Sequence, residues 1–462
     1  MHHRKIVIYF IAFLCFACKN ATEKRPEFVI PAPTSIEKIL SKGFLDVSTF
    51  YSTTDYYVYK GITRGFHYDL AKDFADFLGV KLRIAEVNND IDTAISKLRE
   101  GKYDLLAISM TETPERKEEI NFAQPLFKTG SVLVQNKNNS ILRDLKELNG
   151  QTIFIKNDAS AYKKLLRHLQ DSLQIDLKIS EVAQYSTEDL LHLVETGEIE
   201  YTITDENIAH ALGISMKNLD YSLNLNNSIS VSWTTDPQAT DLIHEINAWL
   251  QEVKKNGKLN MFYKRYFNNY NSVPHYQSKY SILKKGGISP FDKELKKESK
   301  ILNWDWRLLA AMVYVESQFN PEAESQVGAY GLMQIIPETA NIFNVTDYFN
   351  PDSNIYVGVR YLQHLEGIFN QYPISPQEKL KFTIASYNVG PGHVMDAMRL
   401  TEKYQKNPYK WDDNVAYYLR NKSKPEFYQD PLCKNGYCNG EQTYNYIHRV
   451  LETYNNYKHI TP

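Results

Sequence analysis

The stretch Leu308-Leu309-Ala310-Ala311-Met312-Val313-Tyr314-Val315-Glu316-Ser317-Gln318-Phe319-Asn320-Pro321 sets the character of the second half of the chain. Residues that are apolar or have an apolar body come first, and a single carboxylate, Glu316, closes the run. Such a run predicts a helix with no wet face, buried on all sides. A carboxyl group at the end of a buried helix is hard to ionise. Burial disfavours the charged form, and the negative end of the helix dipole disfavours it further. A carboxylic acid still protonated near neutral pH can act as a general acid on a glycosidic oxygen.

Outward from this run, the pattern is helical from 291 to 462. Helices are expected over 291–302, 304–317, 337–343, 355–370, 376–388, 393–404, 413–418 and 442–457. Pro337 fits the first position of its helix, and Asn303 or Asp305 can cap the helix that leads to Glu316. Upstream, residues 269–290 are rich in Asn, Ser, Tyr and Lys and contain Gly286-Gly287, the composition of a linker. From 35 to 268 the pattern changes. Strand-like runs at 44–49, 81–87 and 103–110 alternate with helical runs at 68–78 and 91–100, which Gly79 and Gly101 stop. A second set follows, with strands at 152–155 and 201–204 around a helix at 161–173. This alternation predicts a doubly wound α/β architecture. Two more strand-like runs, 131–134 and 229–233, lie far apart in sequence.

A chain of 462 residues is long enough for two or three domains. Its 43% hydrophobic and 23% charged content is that of a soluble globular protein, and a net charge of −2 points to no nucleic-acid partner. Its 33 tyrosines suit sugar-lined clefts, although an AT-rich codon bias produces the same excess. At the N-terminus, His2-His3-Arg4-Lys5 is basic and residues 6–17 are apolar, a run shorter than the roughly 20 residues that span a bilayer. Residues 1–17 therefore read as a secretory leader. Ala17-Cys18 resembles the lipobox of bacterial lipoproteins, with Cys15 where Leu is usual. That resemblance implies lipidation of Cys18, a tether over 18–34, and anchoring to the outer membrane facing the periplasm. An exported protein can keep a disulfide. For Cys433 and Cys438, a local disulfide and two free thiols both stand open. No His near them has zinc-site spacing, and neither a metal nor a cofactor is expected.

The segments Gly65-Phe66-His67-Tyr68-Asp69-Leu70-Ala71, Gly101-Lys102-Tyr103-Asp104-Leu105 and Met110-Thr111-Glu112-Thr113-Pro114-Glu115-Arg116 occur in that order, and a closing helix over 243–267 follows. Together they resemble the family 3 extracellular solute-binding proteins, the amino-acid-binding type. The resemblance implies two α/β lobes joined by two crossing strands, with a ligand cleft between them. It further implies that Arg116 holds a ligand carboxylate, for which a planar guanidinium offers two parallel hydrogen bonds. Thr111 would donate beside it, and Asp205 would hold an ammonium. The competing reading of Arg116 is an ordinary ion pair with Glu112 or Glu119. Tyr51-Ser52-Thr53-Thr54-Asp55-Tyr56-Tyr57 departs from the Gly-rich aromatic entry of that family. This leaves the ligand open between an amino acid and a muropeptide.

In the helical half, Glu316-Ser317-Gln318-Phe319, Gly331-Leu332-Met333-Gln334, Ala385-Ser386-Tyr387-Asn388 with Gly390-Pro391-Gly392, and the segment 441–446 come in order. As a set they resemble the lysozyme-like catalytic domain of family 1 lytic transglycosylases. The fold class implied for the whole chain is a two-lobed α/β periplasmic-binding-protein fold followed by a mainly α lysozyme-like domain. Membrane-bound lytic transglycosylases combine these two parts.

The resemblance implies cleavage of peptidoglycan glycan strands at the MurNAc–GlcNAc β-1,4 bond without water. Glu316 would give a proton to the leaving sugar, then take one from the C6 hydroxyl of MurNAc as a 1,6-anhydro ring closes. Glycosidases usually carry two carboxylates, and Glu322 and Glu324 are the nearby candidates for a second. Ser317 would orient Glu316 or, alternatively, satisfy a local carbonyl. Gly331 would let backbone approach a sugar ring, and Met333 would form a flexible wall of the cleft. Gln334 can donate to and accept from an N-acetyl group. Tyr387 would pack on a sugar face and Asn388 would bond the N-acetyl carbonyl. Tyr446 would aim its hydroxyl at Glu316, with a plain core tyrosine as the other reading. Ser386-Tyr387-Asn388-Val389-Gly390 stands where many relatives have Ala-Tyr-Asn-Ala-Gly, and the polar pair is kept. A muramidase-type hydrolase and a non-catalytic wall-binding receptor are the alternative functions.

Overall fold

The computed structural model describes residues 34–459, apart from 60, 89, 184, 269–286, 326 and 327. The leader, Cys18, nearly all of the tether and most of the linker expected over 269–290 lie outside the described residues. The strands are β1 (Phe44–Thr49), β2 (Tyr57–Tyr59), β3 (Ile62–Arg64), β4 (Lys81–Val87), β5 (Leu105–Thr111), β6 (Asn121–Phe122), β7 (Phe127–Asn136), β8 (Thr152–Lys156), β9 (Lys178–Val182), β10 (Tyr201–Asp205) and β11 (Leu219–Thr235).

One sheet runs through both lobes in the order β4-β1-β5-β11-β7-β10-β8-β9, with β6 on β11. β4, β1 and β5 are parallel in the first lobe, and β10, β8 and β9 are parallel in the second. β7 and β11 are antiparallel and cross between the lobes. The strand-like runs at 131–134 and 229–233 lie within these crossing strands. The sequence pattern located them but not their length. Polar Asn224 and Asn226 interrupt the alternation in β11, where the register also shifts, and such bulges bend a strand. The β2–β3 hairpin was not foreseen, because its strands are too short to show a period.

The closing helix expected over 243–267 is two helices, Thr240–Lys255 and Lys258–Phe267. Gly257 separates them with φ +78°, a conformation a helix interior does not hold.

The helical half contains Asp292–Leu302, Trp306–Ser317, Pro337–Ile342, Pro351–Phe369, Pro376–Val389, Pro391–Lys403, Ala416–Asn421, Pro425–Tyr428 and Gly440–Lys458. The Asp305 side chain accepts from the Arg307 N–H and starts the second of these. From Leu308 to Val313 that helix is 0–3% exposed, so it is buried all round as expected. Burying each large apolar side chain of this kind stabilises by about 1.5–3 kcal/mol. Its main helical neighbour is Gly440–Lys458. The helix expected from 355 begins a turn earlier, at Pro351, under an Asn350 cap. Its first turn, Pro-Asp-Ser-Asn, is polar and hid the start. The helix expected over 413–418 is displaced to Ala416–Asn421, because Asp413 adopts φ +57° and breaks the turn.

Both cysteines of the helical half are free, which corrects the disulfide alternative. The Cys433 thiol is turned to the Phe427 carbonyl at 3.2 Å, and Cys438 is buried, which pushes its pKa up to about 11.

The two halves share core. One buried apolar cluster includes Tyr56, Phe66 and Trp233 of the first half and Leu309, Met312 and Tyr457 of the second. The Tyr56 hydroxyl donates to the Asn456 carbonyl at 3.1 Å, and the Tyr457 hydroxyl donates to the Gly61 carbonyl at 2.9 Å. Gly61, between β2 and β3, has φ +78°. A Cβ there would stand 2.3 Å from a Tyr314 ring carbon and 2.9 Å from Phe319. Only glycine lets the hairpin lie this close to the helix that carries Glu316.

Candidate active site

Glu316 sits in the last turn of Trp306–Ser317, on a helix whose burial fixes where it points. The side chain is partly exposed, yet protein surrounds its carboxyl. Burial pushes its pKa up to about 7. The Tyr446 hydroxyl and the charge of Arg449 act in the opposite direction and hold it from rising further. Tyr446 is 2% exposed and donates to Glu316 Oε1 at 2.5 Å. With Oε1 occupied, the acid's proton belongs on Oε2, which makes no hydrogen bond among the described residues. None of the groups that shift Glu316 is a carboxylate. Glu322 and Glu324 are both exposed, and the charge of Glu324 acts on Tyr330 instead.

The Gly331–Gln334 turn is held from beneath by Asn354, which is fully buried. Asn354 Oδ1 accepts from the Met333 N–H at 2.7 Å, and its Nδ2 donates to the Tyr330 and Tyr348 carbonyls at 2.9 and 2.6 Å. A Cβ on Gly331, at φ +74°, would stand 2.3 Å from Asn354 Nδ2. The close approach that needs glycine is therefore this one, and not a sugar ring. Met333 is also placed differently from expectation. Its side chain is fully buried against Gly358, because the turn points it into the core. Its carbonyl accepts from the Tyr387 hydroxyl at 2.8 Å. Gln334, at φ +50°, spends its amide hydrogens on the Ala323 and Gly331 carbonyls at 3.2 and 3.0 Å. Its Oε1 is left as an acceptor, so it cannot also donate to a sugar. The Ser317 hydroxyl donates to the Val313 carbonyl at 3.1 Å and is buried, so it satisfies its own helix and does not orient Glu316.

Tyr387 packs beside Tyr361; its phenol feels the charge of Glu316 and in turn acts on Tyr446. Asn388 is exposed. Thr443, 1% exposed, donates to Asn388 Oδ1 at 2.8 Å, which leaves the Asn388 amide N–H groups free to meet a carbonyl. Sequence reasoning missed Asn354, Thr443 and Arg449. Thr443 and Arg449 lie three residues either side of Tyr446 on one helix, a spacing that places all three on one face. Asn354 carried no signal of its own, because it closes the polar first turn Pro-Asp-Ser-Asn of its helix.

A second site lies between the lobes, in a cavity of about 170 Å³ that Thr111, Arg116, Tyr162 and Asp205 help to line. Arg116 donates to the Thr111 carbonyl at 3.0 Å and to Ser160 Oγ of the other lobe at 3.5 Å. Thr111 thus presents its carbonyl to the guanidinium. Arg116 pairs with neither Glu112 nor Glu119, and Glu112 pairs with Lys117. Asp205 is buried at the end of β10, and the Tyr162 hydroxyl donates to it at 2.8 Å. Burial pushes its pKa up to about 6.

The family described as bacterial extracellular solute-binding proteins, family 3, matches residues 47–269, and the transglycosylase SLT domain matches residues 294–410. A protein of Desulfosudis oleivorans named membrane-bound lytic murein transglycosylase F is 31% identical, over 91% of this chain and 91% of its own length. Proteins of the same name from Aeromonas salmonicida and Alcanivorax borkumensis are each 30% identical. These matches cover 93% and 92% of this chain, and 84% and 90% of theirs.

The Tyr446 hydrogen bond favours the ionised form of Glu316, so removing it raises the pKa further. In a pH profile of glycan cleavage, wild type should lose activity as pH rises through about 7. Tyr446→Phe should move that limb to higher pH, whereas an unmoved or lowered limb would mean Glu316 is not the titrating acid.

Proposed function

The chain belongs to the membrane-bound lytic murein transglycosylase F family, and we propose that it cleaves the MurNAc–GlcNAc β-1,4 bond of peptidoglycan with Glu316 as acid and then base. The observation that carries this reading is a lone buried carboxyl, its pKa near 7, set among groups that can hold an N-acetylated sugar. Protonated Glu316 gives its Oε2 proton to the glycosidic oxygen as the C1–O bond breaks. The carboxylate left behind takes the proton of the MurNAc C6 hydroxyl while that oxygen bonds to C1. The proton count closes, no water enters, and the product is a 1,6-anhydro end. A hydrolase would turn the same Glu316 carboxylate on a water in place of the C6 hydroxyl, so the product separates the two reactions. The Asn388 amide supports binding of an N-acetyl carbonyl, and Gln334 Oε1 supports acceptance of its N–H.

The first half acts as a ligand-binding control element in this reading. Tyr51 to Asp55 stand at the interlobe cavity and run directly into β2. The hairpin that follows presses Gly61 on Tyr314 and Phe319, on either side of Glu316 in sequence. A ligand that favours one lobe arrangement has a short physical path to the catalytic helix, provided it binds the two states differently.

The protein works in the cell envelope. No helix among the described residues is long and apolar enough to cross a membrane. Attachment through a lipidated Cys18 to the outer membrane is the anchoring this reading assigns, supported by the leader and the Ala17-Cys18 junction.

Three outcomes are expected. On purified peptidoglycan, mass spectrometry should find anhydro ends with wild type and a loss of at least about 100-fold in rate with Glu316→Gln. Reducing ends in their place would identify a hydrolase, and unchanged cleavage by Glu316→Gln would remove Glu316 as the acid. Saturation with the binding members of an L-amino-acid panel should change wild-type turnover, and Tyr457→Phe, which cuts the bond to Gly61, should shrink that response. Equal wild-type turnover with and without ligand would sink the control reading. Cys18→Ser should move the protein from the membrane fraction to the soluble fraction, and continued membrane retention would refute lipid anchoring at this residue.

A further inference from the structure

The interlobe cavity holds more negative charge than one amino-acid backbone can use. Arg116 suits a carboxylate and Asp205 an ammonium, and Lys156 pairs with Asp158 at 3.2 Å. Asp55 and Glu188 line the same cavity and are left over. Both are buried, at 7% and 4% exposure. They come from opposite lobes and meet across the gap. Thr53, two residues before Asp55, donates its backbone N–H and its hydroxyl to Glu188 Oε1 at 3.0 and 3.1 Å. Glu188 Oε2 accepts no hydrogen bond among the described residues.

Among the described residues, no cationic side chain pairs with either of these two carboxylates. His67 Nε2 is 3.6 Å from Asp55 Oδ1, but His67 Nδ1 accepts from the Trp233 indole, and burial pushes the ring's pKa down to about 3. The imidazole is therefore neutral. Among the described residues no lysine or arginine lies within 4.0 Å of either carboxylate. Burial, followed by the charge of Glu188, pushes the Asp55 carboxyl up to about 7. At the other side of the cavity, Arg116 is 9% exposed and has no carboxylate partner, donating only to Thr111 and Ser160. The volume, about 170 Å³, is well below the roughly 300–1,000 Å³ of pockets that hold drug-sized ligands. It admits one amino acid.

We propose that this cavity binds a free amino acid with a second cationic group, its α-carboxylate on Arg116, its α-ammonium on Asp205 and its side-chain cation between Asp55 and Glu188. The proposal rests on the reading of the first half as an amino-acid-type binding unit and adds the charge of the side chain. The second cation stands beside Asp55, where burial and the charge of Glu188 otherwise favour a proton. Because the two carboxylates belong to different lobes, the same cation also ties the lobes together.

Calorimetry on the detergent-solubilised full chain tests this with L-lysine and L-norleucine, which share a carbon skeleton and differ by the side-chain ammonium. Lysine should bind at least about 10- to 100-fold tighter, the scale of a charge-assisted hydrogen bond. Asp55→Asn and Glu188→Gln should each lower lysine affinity and leave norleucine affinity the same or higher. Two positions guard against a variant that merely disturbs the Thr53 contact. Nα-acetyl-lysine should not bind, because it lacks the ammonium meant for Asp205. Norleucine binding as tightly as lysine would overturn the side-chain proposal while leaving the amino-acid reading intact. Binding of neither, or tight binding of Nα-acetyl-lysine, would overturn the amino-acid reading itself and the proposal with it.

Discussion

The helical half is organised around one hydrogen bond, from Tyr446 to Glu316, across residues 130 apart in sequence. It exists because two helices pack along their length, one of them with no polar face to spare. Burial alone would take the Glu316 carboxyl out of any useful range for charge exchange. The phenol and the nearby guanidinium of Arg449 pull it back toward neutrality. A group asked to lose a proton and regain one at the same site needs its two forms close in free energy. The packing provides the upward shift, and two polar neighbours set where it stops.

The rest of the site serves that carboxyl indirectly. Asn354 is fully buried, yet it ties two stretches of backbone, the Gly331–Gln334 turn with its neighbour Tyr330 and the segment at Tyr348. Thr443 fixes which end of the Asn388 amide faces outward. A buried amide or hydroxyl of this kind is strongly held because an unpaired polar atom in the same place would be costly. Residues that seem decorative in the sequence therefore set the direction in which the visible motif residues point.

Much of this was legible beforehand, and for a physical reason. The helix through Leu308–Val313 announced itself because continuous apolarity has few explanations other than full burial. The crossing strands showed only at their apolar centres, since polar residues in β11 masked the rest. Glu316, Tyr446 and Asn388 could be named from motifs, and the structure brings all three to one locality. Met333, Gly331 and Ser317 could also be named, but their local duties were not. A four-letter motif does not say whether a side chain faces a cleft or a core. Gly61 was invisible altogether. Its role depends on a contact with a helix far along the chain, and no local pattern records it.

That contact gives the stretch near 269–290 a different standing from a seam. The chain can be read as two modules, but the apolar core does not end where the first one does. Cut there, the second half would present Tyr314, Phe319 and Tyr457 to water with no hairpin to cover them. Grafting a foreign binding unit onto it would require a matching glycine-tipped hairpin at the same spot. The pair is therefore inherited as a fitted couple, in which a change to the tip of one partner constrains what the other can become.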